Sequence, residues 1–249
     1  MNELDINNPQ LPDFIVPGAD EKKQDEPAKI KVIGVGGGGG NAVNHMYHQG
    51  IGGVSFVLCN TDAQALRNSP VPVKVQLGAK GEGAGNIPEV AKKLAEESAA
   101  EVEALFDDNT RMAFITAGMG GGTGTGAAPV VARIAKEKGV LTVGIVTIPF
   151  LFEGEPKILQ AFAGVEEMRK HVDALLVINN ERLCKIYPDL SWTTAFAKAD
   201  DSLSNAARSI AELVSKDGKI NLDFADVRTT LKDGGAAVIS TGSGEGEHR

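Results

Sequence analysis

Two cysteines, one tryptophan and two tyrosines among 249 residues leave little room for several kinds of chemistry. Cys59 and Cys184 are far apart in sequence, and neither has a closely spaced Cys or His to complete a metal site. The pair therefore reads as buried packing residues of a reducing compartment, with no metal site predicted. No stretch approaches 18 consecutive apolar residues, and residues 1–12 carry acids and prolines in place of a basic start and apolar run. Neither a membrane span nor a secretory leader is predicted, and the chain reads as cytoplasmic. Positive charge is also short: the formal net charge is -8. That balance argues against an electrostatic grip on nucleic acid or an anionic membrane, so neither is expected as a direct contact. A polyphosphate held by backbone amides is still compatible with it.

What the chain does have is 42% hydrophobic residues, enough to bury a large core. Residues 1–28, rich in Asp, Glu, Asn, Pro and Lys, read as a disordered N-terminal arm. From Lys29 onward, short apolar runs alternate with longer amphipathic stretches, as repeated strand-helix units around a parallel sheet require. Near-continuous apolar runs predict buried strands over 30–35, 54–60, 112–117, 141–147 and 174–178. Helices are predicted over 42–49, 88–105, 127–138 and 157–171, with Gly50 and Gly139 as stops. A long central helix is expected over 191–217, because Ala195, Ala199, Leu203, Ala206, Ile210 and Leu213 recur at helical spacing. A short helix from Phe224 and a strand over 236–240 complete the expected elements. The fold class is therefore α/β, a doubly wound parallel sheet.

Glycine is abundant, and two clusters carry chemistry. The first strand runs into Gly36-Gly37-Gly38-Gly39-Gly40-Asn41 and then a helix, which presents bare backbone and a helix start together, a natural phosphate site. Gly34, Gly36 and Gly39 also satisfy G-x-G-x-x-G, and Asp62 follows the second strand where a ribose-binding acid would sit. Taken alone, that is a weak dinucleotide signal. A second loop, Gly118-Met119-Gly120-Gly121-Gly122-Thr123-Gly124-Thr125-Gly126, also opens a helix. Two phosphate cradles suit a longer polyphosphate better than a dinucleotide, and neither glycine cluster carries a Walker lysine.

The run from Gly120 to Gly126, G-G-G-T-G-T-G, resembles the signature of the tubulin/FtsZ family, and the resemblance extends over most of residues 29–249. It implies a Rossmann-like GTP-binding domain over 29–190 and a central helix over 191–217. Residues 218–249 would then hold a catalytic loop, a short helix and the start of a second domain that is largely missing. Nucleotide contacts are implied for Gly37, Gly38, Gly39, Gly40, Asn41, Asn60, Asp62, Gly120, Gly121, Gly122, Thr123, Gly124, Thr125 and Gly126. The segment Gly83-Ala84-Gly85 resembles the family's loop at the terminal phosphate. Pro149-Phe150-Leu151-Phe152-Glu153-Gly154 resembles its sugar-binding loop, with Glu153 accepting from ribose hydroxyls and Lys157 standing where the family usually has arginine. Asn180, Phe196 and Asp200 match its base-reading groups: a ring can stack on a purine, and a carboxylate can accept from guanine N1-H and the exocyclic amine, which adenine does not offer. Asp201 could take that role in a shifted register, and Asp62 would serve equally as a plain helix cap.

No residue near the glycine loops is an obvious base for water. Asn221-Leu222-Asp223-Phe224-Ala225-Asp226 resembles the family's catalytic loop, so Asn221, Asp223 and Asp226 are implied to act on the nucleotide of a neighbouring subunit in a head-to-tail filament. Asp223 as an ordinary helix cap is the simpler alternative. The resemblance further implies GTP/GDP as ligand with a phosphate-held Mg2+, self-assembly in septal-ring division at the division site, and other cell-division proteins as partners. A non-catalytic fragment that caps filaments is the rival. An NAD-dependent oxidoreductase is a third reading, but His45, His48, His171 and His248 have no setting that suits proton transfer to a substrate.

Overall fold

The structure is a computed structural model that describes residues 29–107, 109–187, 191–215 and 224–238. Its centre is a seven-stranded sheet in the order β3-β2-β1-β4-β5-β6-β7, every pair parallel. The strands are β1 (Lys29–Val35), β2 (Val54–Asn60), β3 (Val73–Gln76), β4 (Thr110–Gly118), β5 (Leu141–Ile148), β6 (Ala174–Asn179) and β7 (Gly235–Ala236). The helices are α1 (Gly36–His48), α2 (Ala63–Arg67), α3 (Pro88–Glu97), α4 (Ala99–Ala104), α5 (Gly122–Glu137), α6 (Glu155–Arg169), α7 (Glu181–Ile186), α8 (Trp192–Ser215) and α9 (Phe224–Leu231).

Alternation along the strands sorts side chains to two cores. Ile33 and Val35 point with Val57, Ile115 and Val146 toward α3, α4, α5 and α6. Ile30 and Val32 point with Phe114, Val143 and Ile145 toward α1, α8 and α9. All eight residues of β5 are buried, which explains why the strand reads as an unbroken apolar run. The doubly wound parallel sheet is therefore as expected from sequence. Among the described residues no helix is long and apolar enough to cross a membrane.

Several expectations need correction. The glycines after β1 are not a loop before a helix at residue 42: α1 begins at Gly36, and the glycines form its first turns. Likewise α5 begins at Gly122, so most of the second glycine motif is helical. The helix expected over 88–105 breaks at Ser98, whose hydroxyl accepts a 2.8 Å hydrogen bond from the Gly78 amide. An apolar pattern passes through such a break, because the buried stripe continues while one side chain is diverted to a neighbouring turn. β3 escaped prediction as a four-residue edge strand with only one buried residue. Of the strand expected over 236–240, Ala236 is in a strand, Ala237 and Val238 are not, and 239–240 lie outside the described residues. Gly235 and Ala236 pair with Ala174 and Leu175, which makes β7 the edge of this same sheet. Cys59 is fully buried in β2, where desolvation pushes its thiol up to about 12. Cys184 is only partly buried, contrary to the reading of both as core residues.

Candidate functional site

Strand order reverses direction between β1 and β4, and a crevice outside the carboxyl ends of the strands is expected at that point. Gly36, with φ 73°, turns the chain from β1 directly into α1. The neighbouring strand β4 ends in Gly118 and leads through Gly121 into α5. Neither α1 nor α5 has a side chain capping its first turn, so two helix starts present uncapped amides beside one another. A cavity of about 390 Å³ opens here, lined by Gly37, Gly38, Asn41 and Gly121 on the glycine side.

The glycines of the two clusters have different jobs. A Cβ on Gly124 would collide with the Gly118 carbonyl, and one on Gly122 or Gly126 with backbone of residues 86–88. Those positions need glycine so that α5 can pack against its surroundings. At Gly37 and Gly40, by contrast, a Cβ would meet nothing within 4 Å. The protein itself gives no steric reason for glycine there; the space is left for something else. Thr123 and Thr125 also act locally. The Thr123 hydroxyl hydrogen-bonds to that of Thr61 at 2.7 Å, and Thr125 Oγ1 accepts from the Gly120 amide at 2.9 Å.

At the other end of the cavity lie Glu153, Asn180, Phe196 and Asp200. Asn180 is 5% exposed, and its Oδ1 is a buried acceptor with no partner. An orphan of this kind costs stability unless a ligand satisfies it. Asp200 projects from α8 one turn beyond Phe196. Desolvation raises its carboxyl to about 6; Asp201 adds to the rise and His45 opposes it. The register ambiguity with Asp201 is resolved by geometry: Asp201 pairs with His45 at 2.8 Å and Lys198 at 3.2 Å, outside the cavity lining. Phe196 stands edge-on to Phe150 at 5.3 Å, and Phe150 stacks on Phe152 at 4.8 Å, so the wall beside Asp200 is a small aromatic cluster.

Glu153 closes its own turn: Oε1 accepts from the Phe150 amide at 3.0 Å, and Oε2 pairs with Lys157 at 3.3 Å. Lys157 thus supports Glu153 and does not itself line the cavity. Asp62 serves as the cap of α2, accepting from the amides of Gln64 and Ala65. Asn60 and Gly40 line a smaller pocket on the other flank of α1, which shares Gly37 and Asn41 with the main cavity. Sequence reasoning missed Thr147, Ala199 and Leu203 as lining residues. Ala199 and Leu203 follow Phe196 at helical spacing and were open to inference; Thr147 carries no signal beyond lying near the end of a buried strand.

Of the implied catalytic residues, Asn221 and Asp223 lie outside the described residues. Asp226 is exposed in the first turn of α9. That helix lies at the far edge of the sheet. Arg111, at the amino end of β4, lies 4.4 Å from the centroid of the Phe224 ring, whereas the cavity adjoins Gly118 at the carboxyl end. Strand β4 and the 24-residue α8, on the order of 36 Å long, both span that separation.

A larger groove of about 600 Å³ lies between α3, α5 and α6. Thr125 and Gly126 face it, and its cationic groups already pair, Lys92 and His171 with Glu167 and Arg133 with Glu137. The smaller cavity, with its unpaired buried acceptor, is the better functional candidate.

Residues 29–188 match the description "Tubulin/FtsZ family, GTPase domain". The cell division protein FtsZ of Porphyromonas gingivalis is 66% identical over 227 residues, covering 90% of this chain and 50% of that protein. A solved structure described as an empty FtsZ dimer from M. jannaschii superposes with TM-score 0.82 at 45% identity, covering 86% of this chain and 63% of that one. CetZ2 from Haloferax volcanii, described as a GTPγS-bound protofilament, gives TM-score 0.71 at 25% identity over 84% of this chain and 64% of that one. The chain spans about half the length of the P. gingivalis relative.

Proposed function

The chain belongs to the tubulin/FtsZ family, GTPase domain, and from that premise we propose that it binds GTP in this cavity and hydrolyses it on self-assembly, as a cytoskeletal protein of bacterial cell division. The observation that carries the reading is the polarity of the cavity. Uncapped helix starts stand at one end, and an unpaired buried acceptor beside a carboxylate stands at the other. The first end suits phosphates, and the second suits a base rich in donors. Guanine offers N1-H and an exocyclic amine to Asp200; adenine presents no such pair. The P. gingivalis relative is named as a cell division protein, and a structural neighbour is described as a GTPγS-bound protofilament. The neighbour supports nucleotide-dependent assembly and the relative supports a role in cell division; other division proteins as partners and the division site as location are part of the proposal.

Among the described residues no three His, Cys, Asp or Glu side chains gather to hold a metal. A magnesium ion would therefore arrive with the phosphates and be held by them and by water, neutralising charge as it does in phosphoryl transfer. This chain's residues bind and orient: α1 and α5 amides hold the phosphates, Glu153 faces the sugar, and Asn180 and Asp200 read the base. Asp226, on the opposite edge, is the group offered to a neighbour's site in a head-to-tail filament.

The test is GTP and ATP turnover measured across protein concentration with magnesium, together with identification of nucleotide released from purified protein. GTP-selective turnover per chain that rises with concentration is expected. Bound guanine nucleotide with flat, negligible turnover would replace this reading with a binding module that caps filaments.

Gly37→Ala separates ligand from fold. A methyl there meets no protein atom, so helix propensity alone should raise stability by up to about 1 kcal/mol. The same methyl intrudes where phosphate would approach, and GTP affinity should fall by roughly tenfold or more. Denaturation and nucleotide titration of the same sample read both signs.

A further inference from the structure

The helix that carries Asp226 is latched to the phosphate-binding helix by one lysine. Lys136 lies in the last turn of α5, and its ammonium reaches three acceptors: Asp173 Oδ1, Asp233 Oδ1 and the Val172 carbonyl, each at 3.2 Å. A lysine has three donors, so the group is fully used. Asp173 is 5% exposed at the start of β6, and its second oxygen accepts from the Thr142 amide at 2.9 Å. Asp233 lies in the turn after α9, with φ 54°, and Gly235, two residues on at the start of β7, donates its amide to the Asp173 carbonyl at 2.9 Å. At its other end α9 is seated by buried Phe224 and Val227, with Arg111 over the Phe224 ring. Partial desolvation works to lower the Lys136 pKa, yet it is raised, because hydrogen bonds and charge from Asp173 and Asp233 outweigh that cost.

Resting on the in-trans reading above, we propose that Lys136 is a positioning residue that clamps α9 to the far end of α5 and thereby sets where Asp226 is presented to the neighbouring subunit. Helix α5 makes this more than a local staple. Its 16 residues, on the order of 24 Å, carry the phosphate cradle at one end and Lys136 at the other. In a head-to-tail filament the two ends of this one helix serve two successive nucleotide sites.

Two substitutions test the clamp. Asp233→Asn keeps a residue that tolerates positive φ and leaves the Lys136–Asp173 pair intact, so folding is not at risk. Lys136→Met leaves Asp173 buried without its cation and should have the stronger effect, with Lys136→Arg restoring most of the loss. Hydrogen exchange of the α9 amides should accelerate roughly two- to fivefold in Asp233→Asn and more than about tenfold in Lys136→Met. In both, maximal turnover should fall while KM and affinity for GTP stay at the wild-type values. At GTP too dilute to load it, adding a chain with a weakened nucleotide site but an intact α9, Asp200→Ala, should restore turnover to the Asp233→Asn chain; a chain damaged in its own nucleotide site would gain nothing. Unchanged α9 exchange in both variants, or loss of GTP affinity in step with turnover, would overturn the proposal. If wild-type turnover is flat with concentration, the assembly reading fails on that result, and α9 exchange alone decides whether the clamp exists.

Discussion

Asp226→Asn is expected to lower GTP turnover by about 10²–10⁴-fold while leaving GTP affinity within about twofold of wild type. The separation follows from geometry. Asp226 is exposed in the first turn of α9, whose Phe224 packs under Arg111 at the amino end of β4, and it is not among the residues lining the cavity at the carboxyl end. Asparagine keeps the shape and loses the ability to accept a proton from water or to face a cation. On the proposed in-trans reading, mixing gives a second result. At GTP too dilute to load the weakened Asp200→Ala site, an equimolar blend of Asp226→Asn with Asp200→Ala should regain turnover that neither chain shows alone, since one supplies the nucleotide site and the other the acid. Turnover unchanged by Asp226→Asn would place the catalytic acid elsewhere.

The second large effect concerns the base. Asp200→Ala should weaken GTP binding by about 10- to 100-fold, the loss of hydrogen bonds to a charged acceptor, and should remove most of the preference for GTP over ATP. The wild-type chain also gives this carboxylate a pH signature. In the free protein, burial raises its carboxyl to about 6, while guanine donors require the ionised form. GTP affinity should therefore be full above that value and fall as pH drops through it. Stability of the free chain runs the other way. The folded pKa lies above the ordinary carboxylate range, so the folded form takes up the proton first, and lowering pH through that interval relieves the cost of a buried charge. The Asp200→Ala chain should lose both dependences. Isothermal titration and denaturation at a series of pH values check the pair of slopes, and an affinity independent of pH would remove Asp200 from the base site.

How much of this was legible in the chain differs from one feature to the next. The five central strands were readable because each is largely buried and carries a nearly continuous apolar run, β5 without a break. The second glycine motif was readable as a family signature because its run of residue types is so specific. Motif reading did not show that the glycines of the two clusters divide into packing positions, such as Gly124 and Gly126, and open ones such as Gly37. That depends on what stands opposite each Cα, which comes from elements distant in sequence. Asp200 and Asp201 are equivalent on a list of residues. Only the rotation of α8 turns one into the cavity and gives the other to His45 and Lys198.

Hydrophobic period and glycine spacing are properties of neighbouring residues, so the sequence by itself determined the doubly wound sheet and the family, and pointed to the glycine clusters as the proposed phosphate site. Long-range pairing decided the rest. A strand near β7 was legible, but its place was not: Gly235 and Ala236 pair with the edge of β6. Lys136, Asp173 and Asp233 look like scattered surface charges until the sheet brings α5, β6 and the turn after α9 to one point. Electrostatic and steric roles of that kind depend on distance through space, which local sequence does not encode.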